Sequence, residues 1–169
     1  MKYVRKLRWW EIGLVTLVVS ALGALSTGRN KRKQRSLYEN KFKQAPWAPP
    51  GWLFGPAWTI NNFFLLMALQ SILNEKEIKD HRSQFLWMQA GIWFIYFTFG
   101  YVYFRKKSPI LASVWTISDA LLALYSFTLA ARHNKKLAVN YIPLLSWTCY
   151  ASSVAVYQAV MNKDPLLNV

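Results

Sequence analysis

The chain has 169 residues, of which 54% are hydrophobic and 17% aromatic, including nine tryptophans. This composition exceeds what a soluble domain of the same length usually carries, and it indicates a protein whose apolar surface meets lipid. The net charge of +14 suggests nucleic acid as a partner, but the basic residues lie between apolar runs, where a chain leaves the bilayer. We therefore predict an all-α integral membrane protein with no nucleic-acid partner.

Five apolar segments approach the length of about 20 residues that a helix needs to cross the hydrocarbon core. They predict a single domain of five transmembrane helices over 12–27, 52–73, 85–104, 109–131 and 137–161. The first segment is the shortest, and because basic residues precede it, it also fits a cleaved signal peptide. Tryptophan and tyrosine concentrate at the segment ends, as is typical of residues that anchor helices among lipid headgroups.

The connection over 28–51 is the longest, with a basic first part and a proline-rich second part. A connection of this length in a compact protein is often functional, and we predict that it closes over a binding site as a lid. Lysines and arginines are divided almost equally between the two sides of the predicted bundle. Only the high density of these basic residues in 28–51 favours a cytoplasmic position for this loop and for the carboxyl terminus. The sequence does not indicate which membrane contains the protein.

The densest signal is the string over 46–59, which reads PWAPPGWLFGPAWT. Pro49 and Pro50 suit the beginning of a helix, because the first amides of a helix have no partner within it. Pro56 is expected inside the helix, where its missing N–H frees the carbonyl of Trp52 and bends the helix. The bend would present three side chains as the wall of a cleft near the membrane surface: Phe54, Ala57 and Trp58.

This string resembles the Pro-Pro-x-Trp-x-x-Gly-Pro-x-Trp signature of the tryptophan-rich sensory protein and translocator protein family. The segment 20–28 is similar to the small-residue end of the family's first helix, which favours a first span over a signal peptide. Trp115 and Asp119 match the Trp-x-x-x-Asp of its fourth helix. The Pro-x-x-x-Trp-x-x-x-Ala of its fifth helix is matched by Pro143, Trp147 and Ala151.

The resemblance implies a five-helix bundle, commonly a homodimer, with a pocket closed by the first loop. Members bind tetrapyrroles such as porphyrin or haem, and some bind cholesterol and aromatic drugs. The family's pocket positions fall here on Phe54, Ala57, Trp58, Trp115, Leu122, Trp147, Ala151 and Val154. No metal or resident cofactor is implied beyond a tetrapyrrole as ligand.

Helical spacing independently supports two walls of this pocket. Residues three and four positions apart are neighbours on a helix, so Trp115, Asp119 and Leu122 share one face. The same spacing places Trp147, Ala151 and Val154 on one face of the last predicted helix. Two aromatic faces beside a small residue leave room for a flat ligand that stacks.

Asp119 lies about ten residues into its predicted helix, which places it about 15 Å deep, near the bilayer centre. An ionisable group at that depth is costly and by default marks a functional site. The alternative is a structural hydrogen bond to another helix, for example to Asn61 or Asn62. In either case the side chain should face the interior of the bundle.

The third and fifth helices depart from the family's pattern. Aligning Gln89 with the family's glutamine places Trp93 where asparagine is usual and Tyr96 where tryptophan is usual. In the fifth helix the family's asparagine falls on Ala155. The loss of two amides predicts fewer directional hydrogen bonds and poor discrimination between porphyrins. The predicted ligand-binding residues therefore also include Trp93, Tyr96 and Asp119.

Two weaker patterns complete the set of candidates. Val154, Tyr157 and Lys163 satisfy a proposed cholesterol-contact pattern, although a tyrosine and a lysine at these positions also fit ordinary interfacial anchoring.

Cys149 is the single cysteine, which excludes an intrachain disulfide and a cysteine metal cluster. The two histidines lie in separate charged loops, and no spacing requires them to ligate haem iron.

We predict a membrane receptor or carrier for a tetrapyrrole or a similar flat apolar ligand such as a sterol, acting in porphyrin homeostasis or stress signalling. One alternative is an enzyme that breaks down a bound porphyrin in light through stacked tryptophans. No paired acid and base or activated nucleophile is visible, so no catalytic residue is predicted. The other alternative is a structural or regulatory membrane protein without a ligand.

Overall fold

The computed structural model of the protein describes residues 5–26 and 36–169, and these residues form helices and no β-strand. The long helices are α1 (Trp9–Ser26), α2 (Phe54–Asn74), α3 (Arg82–Gly100), α4 (Pro109–His133) and α5 (Lys135–Met161). Short helical turns lie at Leu37–Lys41, Gly51–Leu53 and Lys79–His81, and Tyr101–Arg105 continues α3 as a wider turn.

The helix ends differ from the predicted spans by a few residues. The first helix begins at Trp9 rather than 12, and its predicted end at 27 lies outside the described residues. The second begins later than predicted, at Phe54, because Gly51–Leu53 forms a separate 3₁₀ turn. The first part of the predicted loop, 28–35, also lies outside the described residues.

Three helical stretches are long and apolar enough to cross a bilayer within the described part of the chain: Gly51–Asn74, Lys79–Arg105 and Pro109–His133. A fourth apolar stretch, Trp9–Leu25, is shorter. Large apolar side chains cover the outside of the bundle, and Leu17 and Phe94 are 60% and 62% exposed. An outer surface of this kind suits contact with lipid tails rather than water.

The core joins α2, α3 and α5 through a buried glutamine. Gln89 of α3 donates hydrogen bonds from Nε2 to the carbonyl of Leu65 on α2 and to the hydroxyl of Tyr141 on α5, both at 3.2 Å. All three residues are at most 2% exposed. Because lipid offers no hydrogen bonds, a polar group inside a membrane bundle is satisfied by the protein itself, and here that need links three helices.

Pro56 lies in the first turn of α2 and not in the helix interior. The amides of the first turn of a helix have no partner within it, so a proline there removes no hydrogen bond from α2. The expected position of Pro56 in the helix interior was therefore wrong, whereas the bend stays a prediction. Pro143, by contrast, does lie inside α5, where it removes the amide that would bond to the carbonyl of Val139.

Asp164 fastens the segment after α5 to the beginning of α4. Its carboxylate accepts hydrogen bonds from the Ser108 hydroxyl and from the backbone N–H groups of Ile110, Leu166 and Leu167. Burial by itself would raise the pKa of this carboxyl, but the hydrogen bonds outweigh burial and hold the pKa below its usual range. Asp164 therefore stays charged although it is only 1% exposed.

Candidate ligand-binding site

A cavity of about 320 Å³ lies between α2 and α5. Its lining residues, which define the α2–α5 cavity, are Ala57, Ile60, Asn61, Pro143, Ser146, Trp147 and Tyr150. The volume falls at the lower end of the range of about 300–1,000 Å³ that is typical of ligand pockets. Ile60 is 55% exposed and Ser146 is also exposed, so the cavity opens at the outer surface of the bundle.

Aromatic rings from both helices meet at one side of the cavity. Phe54 packs edge-to-face on Trp147 with 5.6 Å between ring centroids, and Trp147 lies 5.9 Å from Tyr150. The rings come together because Trp147 and Tyr150 are three positions apart on α5 and so share a face. Ala57 lies one turn after Phe54, and its small side chain leaves the space that the cavity occupies. The arrangement offers an aromatic wall to a flat ligand.

Two hydrogen-bond donors at the cavity have no partner among the described residues. They are Nδ2 of Asn61, a residue only 2% exposed, and Nε1 of Trp147. Buried polar groups in proteins are nearly always hydrogen-bonded, so two unpaired donors at one cavity are unusual. The rest of the wall is mostly apolar, with Ile60, Pro143 and Ala57 among its residues.

The loop between α1 and α2 packs against the carboxyl-terminal half of α5 beside the cavity. Its described part, residues 36–53, is called the α1–α2 loop below. Trp47 donates from Nε1 to the Ser153 hydroxyl at 3.1 Å, and its carbonyl accepts from the Tyr150 hydroxyl at 2.6 Å. The Trp47 ring also lies 5.5 Å from that of Tyr157. Because Tyr150 lines the cavity, a residue of the cavity wall holds the loop in place.

Two further contacts fasten the loop farther along α5. Gln158 donates from Nε2 to the side-chain carbonyl of Gln44, and the Tyr103 hydroxyl donates to Oε1 of Gln158 at 3.0 Å. Asn162 accepts from the backbone N–H of Lys43 at 2.7 Å and donates to its carbonyl at 3.1 Å. The loop is thus bonded to α5 at several successive turns.

Tyr38 stabilises the α1–α2 loop internally. Its hydroxyl donates to the carbonyl of Pro49 at 2.8 Å, and its ring packs edge-to-face on Phe54 with centroids 5.3 Å apart. Burial raises the pKa of this hydroxyl, and the proximity of Tyr150 and Glu39 raises it further. Tyr38 therefore remains protonated and keeps its role as a donor throughout the physiological pH range.

Three predicted site residues form an aromatic cluster away from the α2–α5 cavity. The ring of Tyr96 lies 5.1 Å from Trp58 and 5.8 Å from Trp93. Trp93 donates from Nε1 to Oε1 of Gln89 at 2.9 Å. The hydroxyl end of Tyr96 occupies the space over Gly23 of α1, where a methyl group would collide with it. These rings fill the space between α1, α2 and α3.

The predicted residues of α4 contact α3. Trp115 donates from Nε1 to the Thr98 hydroxyl at 2.9 Å. Leu122 lies next to Gly91, where a built Cβ would come within 3.0 Å of the leucine methyl. Asp119 is 1% exposed, as expected of an ionisable residue inside a bundle, and its Oδ1 has no partner in the described part of the chain.

The predicted residues at the end of α5 do not share one exposed surface. Val154 is 5% exposed and faces inward, whereas Lys163 is exposed after the end of the helix. Tyr157 is half-buried against Trp47 of the loop. Ala151, also half-buried, lies one turn after Trp147.

Of the predicted site residues, Ala57 and Trp147 line the cavity and Phe54 packs against it. From the sequence, Asn61 was considered only as a hydrogen-bond partner of Asp119 and not as part of a ligand site. A polar amide within an apolar span is nevertheless a pattern that marks candidate site residues. In the described ranges no group of three or more His, Cys, Asp or Glu residues is arranged to hold a metal ion.

The long apolar helices and the apolar outer surface of the bundle define an integral, multi-pass membrane protein. The model of the TspO/MBR family matches residues 12–160, and the chain belongs to this family. The tryptophan-rich protein TspO of Archaeoglobus fulgidus is 26% identical over 147 residues, covering 85% of this chain and 91% of the relative. A protein of the same name from Chlorobaculum tepidum is 25% identical over 120 residues, covering 71% and 76%.

Proposed function

We propose that the protein is a membrane receptor or carrier that binds a tetrapyrrole, or a similar flat apolar ligand such as a sterol, in the α2–α5 cavity. The observation that carries this proposal is an aromatic-walled cavity whose wall residue Tyr150 also holds the neighbouring loop. Family membership supports the same class of ligand. A ligand larger than the cavity would extend through its open side or displace the loop.

We propose further that all five long helices span the membrane. At a rise of about 1.5 Å per residue, the 18 residues of α1 and the 27 of α5 extend for roughly 27 Å and 40 Å. The hydrocarbon core is about 30 Å thick, so α1 nearly matches it and α5 exceeds it. Lys135 and Lys136 at the beginning of α5 would then lie among the headgroups.

The test is a titration of the purified protein in detergent with protoporphyrin, followed by tryptophan fluorescence and porphyrin absorbance. We expect saturable binding with a Kd on the order of micromolar. Trp147→Ala should weaken binding by about 1 kcal/mol or more, because it removes the aromatic wall. The matched control is Trp87→Ala, which changes a ring that is 77% exposed on the outside of α3.

Several outcomes would contradict the proposal. Quenching that does not saturate would argue against a ligand site, and equal weakening by the two tryptophan variants would place the ligand elsewhere. Repeating the titration under illumination distinguishes a receptor from an enzyme that degrades porphyrin. With a receptor, the porphyrin absorbance stays constant during illumination. With an enzyme, the absorbance falls as successive porphyrin molecules are degraded. The homodimer implied by family resemblance stays a prediction, which crosslinking in membranes would check.

A further inference from the structure

The two histidines of the chain lie far apart in the sequence, but their rings meet at one end of the bundle. The ring centroids of His81 and His133 are 4.1 Å apart, and the ring planes are tilted by 36°. His81 ends the short turn before α3, and His133 is the last residue of α4. The pair therefore joins the connection between α2 and α3 to the connection between α4 and α5. Neither histidine lines the α2–α5 cavity.

A hydrogen bond sets the state of the His81 ring. Its Nδ1 lies 3.1 Å from Oε1 of Gln84. An amide oxygen only accepts, so Nδ1 carries the hydrogen and Nε2 of the neutral ring keeps its lone pair. Metal-binding histidines commonly donate their second N–H to a carbonyl group in this way, which orients the ring. His133 is exposed, so an ion from the surrounding water reaches the pair.

The two connections that carry the histidines are already bonded to each other. Asn134, which follows His133, donates from Nδ2 to the carboxylates of Glu75 and Glu77. The same asparagine accepts from the backbone N–H of Leu137 at 2.9 Å as the N-cap of α5. These bonds fix one connection against the other, so the two rings are held near each other before any ion binds.

Charge alone would not attract a cation to this end of the bundle. Three acidic residues lie in 75–80, but six basic residues lie in 76–82 and 132–136. Hard cations such as Mg²⁺ and Ca²⁺ prefer oxygen ligands and gain little from imidazole. Zn²⁺ and Cu²⁺, by contrast, bind well to the lone pair of a neutral imidazole. The histidine pair therefore favours transition metal ions over the hard divalent cations.

We propose that His81 and His133 form a binding site for a divalent transition metal ion, which one nitrogen of each ring holds. In the described ranges no group of three or more His, Cys, Asp or Glu residues is arranged to hold a metal, so water fills the other positions. Two nitrogens bound to Zn²⁺ at about 2.0 Å are roughly 3.3 Å apart in tetrahedral geometry. Rotation about the side-chain bonds brings rings that are already 4.1 Å apart into this arrangement. The bound ion clamps the two connections together.

The experiment titrates the purified protein with zinc chloride in dodecyl maltoside at neutral pH, against a fluorescent zinc indicator. The protein carries no polyhistidine tag, and Cys149→Ser removes an exposed thiol that would itself bind zinc. We expect one ion per chain, with a Kd on the order of 10 µM. His81→Ala and His133→Ala should each weaken binding about tenfold, and the double variant should weaken it little further, because either loss leaves a single ligand.

Two controls separate ligation from attraction by charge. Asp80→Asn removes an exposed negative charge from the same turn as His81 and should leave the Kd for zinc unchanged. An excess of Mg²⁺ should not displace zinc. Zinc should also raise the Tm of the Cys149→Ser protein but not that of the histidine variants, because an ion that binds only the folded state stabilises it. Binding should weaken in mildly acidic solution, where protons compete for the imidazoles.

Cu²⁺ gives a spectroscopic readout that a purely structural role of the histidines would not produce. Its electron paramagnetic resonance spectrum should show coupling to two imidazole nitrogens, and to one in either single variant. Coupling to fewer than two in the Cys149→Ser protein, or a Kd for zinc that neither histidine variant changes, would overturn the inference. So would equal weakening by Asp80→Asn and His81→Ala. If His81→Ala does not fold, His133→Ala, at an exposed position, decides in the same way.

Stoichiometry and porphyrin binding complete the test. One zinc ion per two chains, with a change in oligomeric state, would place the site between two copies and overturn a site within one chain. The inference does not rest on the proposed function, because the α2–α5 cavity includes neither histidine. Porphyrin affinity should therefore be the same in the Cys149→Ser protein and in the histidine variants, and failure of either titration leaves the other result intact.

Discussion

Gly23 of α1 is a position where a single methyl group should disturb the packing of three helices. A Cβ there would fall on the ring and hydroxyl of Tyr96, which is held between Trp58 and Trp93. We expect Gly23→Ala to destabilise the protein by about 1–3 kcal/mol, because the tyrosine must leave its packed position. Thermal denaturation in detergent measures the effect.

The matched control for Gly23 is Gly13 on the same helix, where nothing lies within 4 Å of a built Cβ. Gly13→Ala should be neutral, or stabilising by up to about 1 kcal/mol, because alanine has the higher helix propensity. Equal changes in Tm for the two variants would show that the close packing of Tyr96 on Gly23 does not contribute to stability.

Asp164 predicts a specific sensitivity to acid. The pKa of its carboxyl is lower in the folded protein than in the unfolded chain, where the pKa of an aspartate is about 3.9. Its contribution to stability is therefore complete above that value and is lost as the pH falls through the lower folded pKa. Asp164→Asn should cost about 1–2 kcal/mol at neutral pH, because it weakens hydrogen bonds to a charged acceptor. It should also make the Tm less dependent on pH between about 2 and 5.

Asp80→Asn is the control for Asp164, because Asp80 is an exposed aspartate at the turn between α2 and α3. It should leave both the Tm and its pH dependence unchanged. If Asp164→Asn keeps the acid sensitivity of the unmodified protein, other carboxylates govern it.

At the scale of elements, the α1–α2 loop is expected to behave as a lid whose closure depends on Trp47. Trp47→Ala removes a hydrogen bond to Ser153 and the ring contact with Tyr157. We expect faster hydrogen exchange of the backbone amides in 36–53 and faster dissociation of a bound ligand. The stability of α2 to α5 should change little.

The comparison for this element is Trp52→Ala, which alters another tryptophan of the same loop. Trp52 is 72% exposed, so its loss should not release the loop from α5. Equal exchange rates in the two variants would mean that the bonds of Gln44 and Lys43 to α5 hold the loop without Trp47.

At the scale of the whole molecule, the five spans that we propose would place the two termini on opposite sides of the membrane. Lys6→Cys and Lys163→Cys introduce reporters at either end, in a background of Cys149→Ser because the native cysteine is exposed. A membrane-impermeant maleimide applied to sealed vesicles should label one site, and the other only after permeabilisation. Labelling of both from the same side would exclude an odd number of spans.

Several whole-molecule features were predictable from the amino-acid sequence because the bilayer leaves few alternatives. A chain in lipid must satisfy its backbone within each segment, so long apolar runs become helices. The string over 46–59 is dense enough to indicate the family, which the match over 12–160 confirms. The positions of individual helix ends were less predictable, as at Pro56, since a short 3₁₀ turn before a helix leaves no periodic signal.

Only the tertiary structure decided which helical faces meet. Spacing places Trp115 and Trp147 each on a defined face of its own helix, but not opposite a particular neighbour. Packing turns Trp115 towards Thr98 of α3, while Trp147 meets Phe54 at the cavity. Asn61 and Asn62 are chemically identical in the sequence, and only the neighbouring α1 pairs one amide and leaves the other unpaired. Helix formation depends on local hydrogen bonds and lipid, whereas the partner of a side chain depends on distant segments that packing brings together.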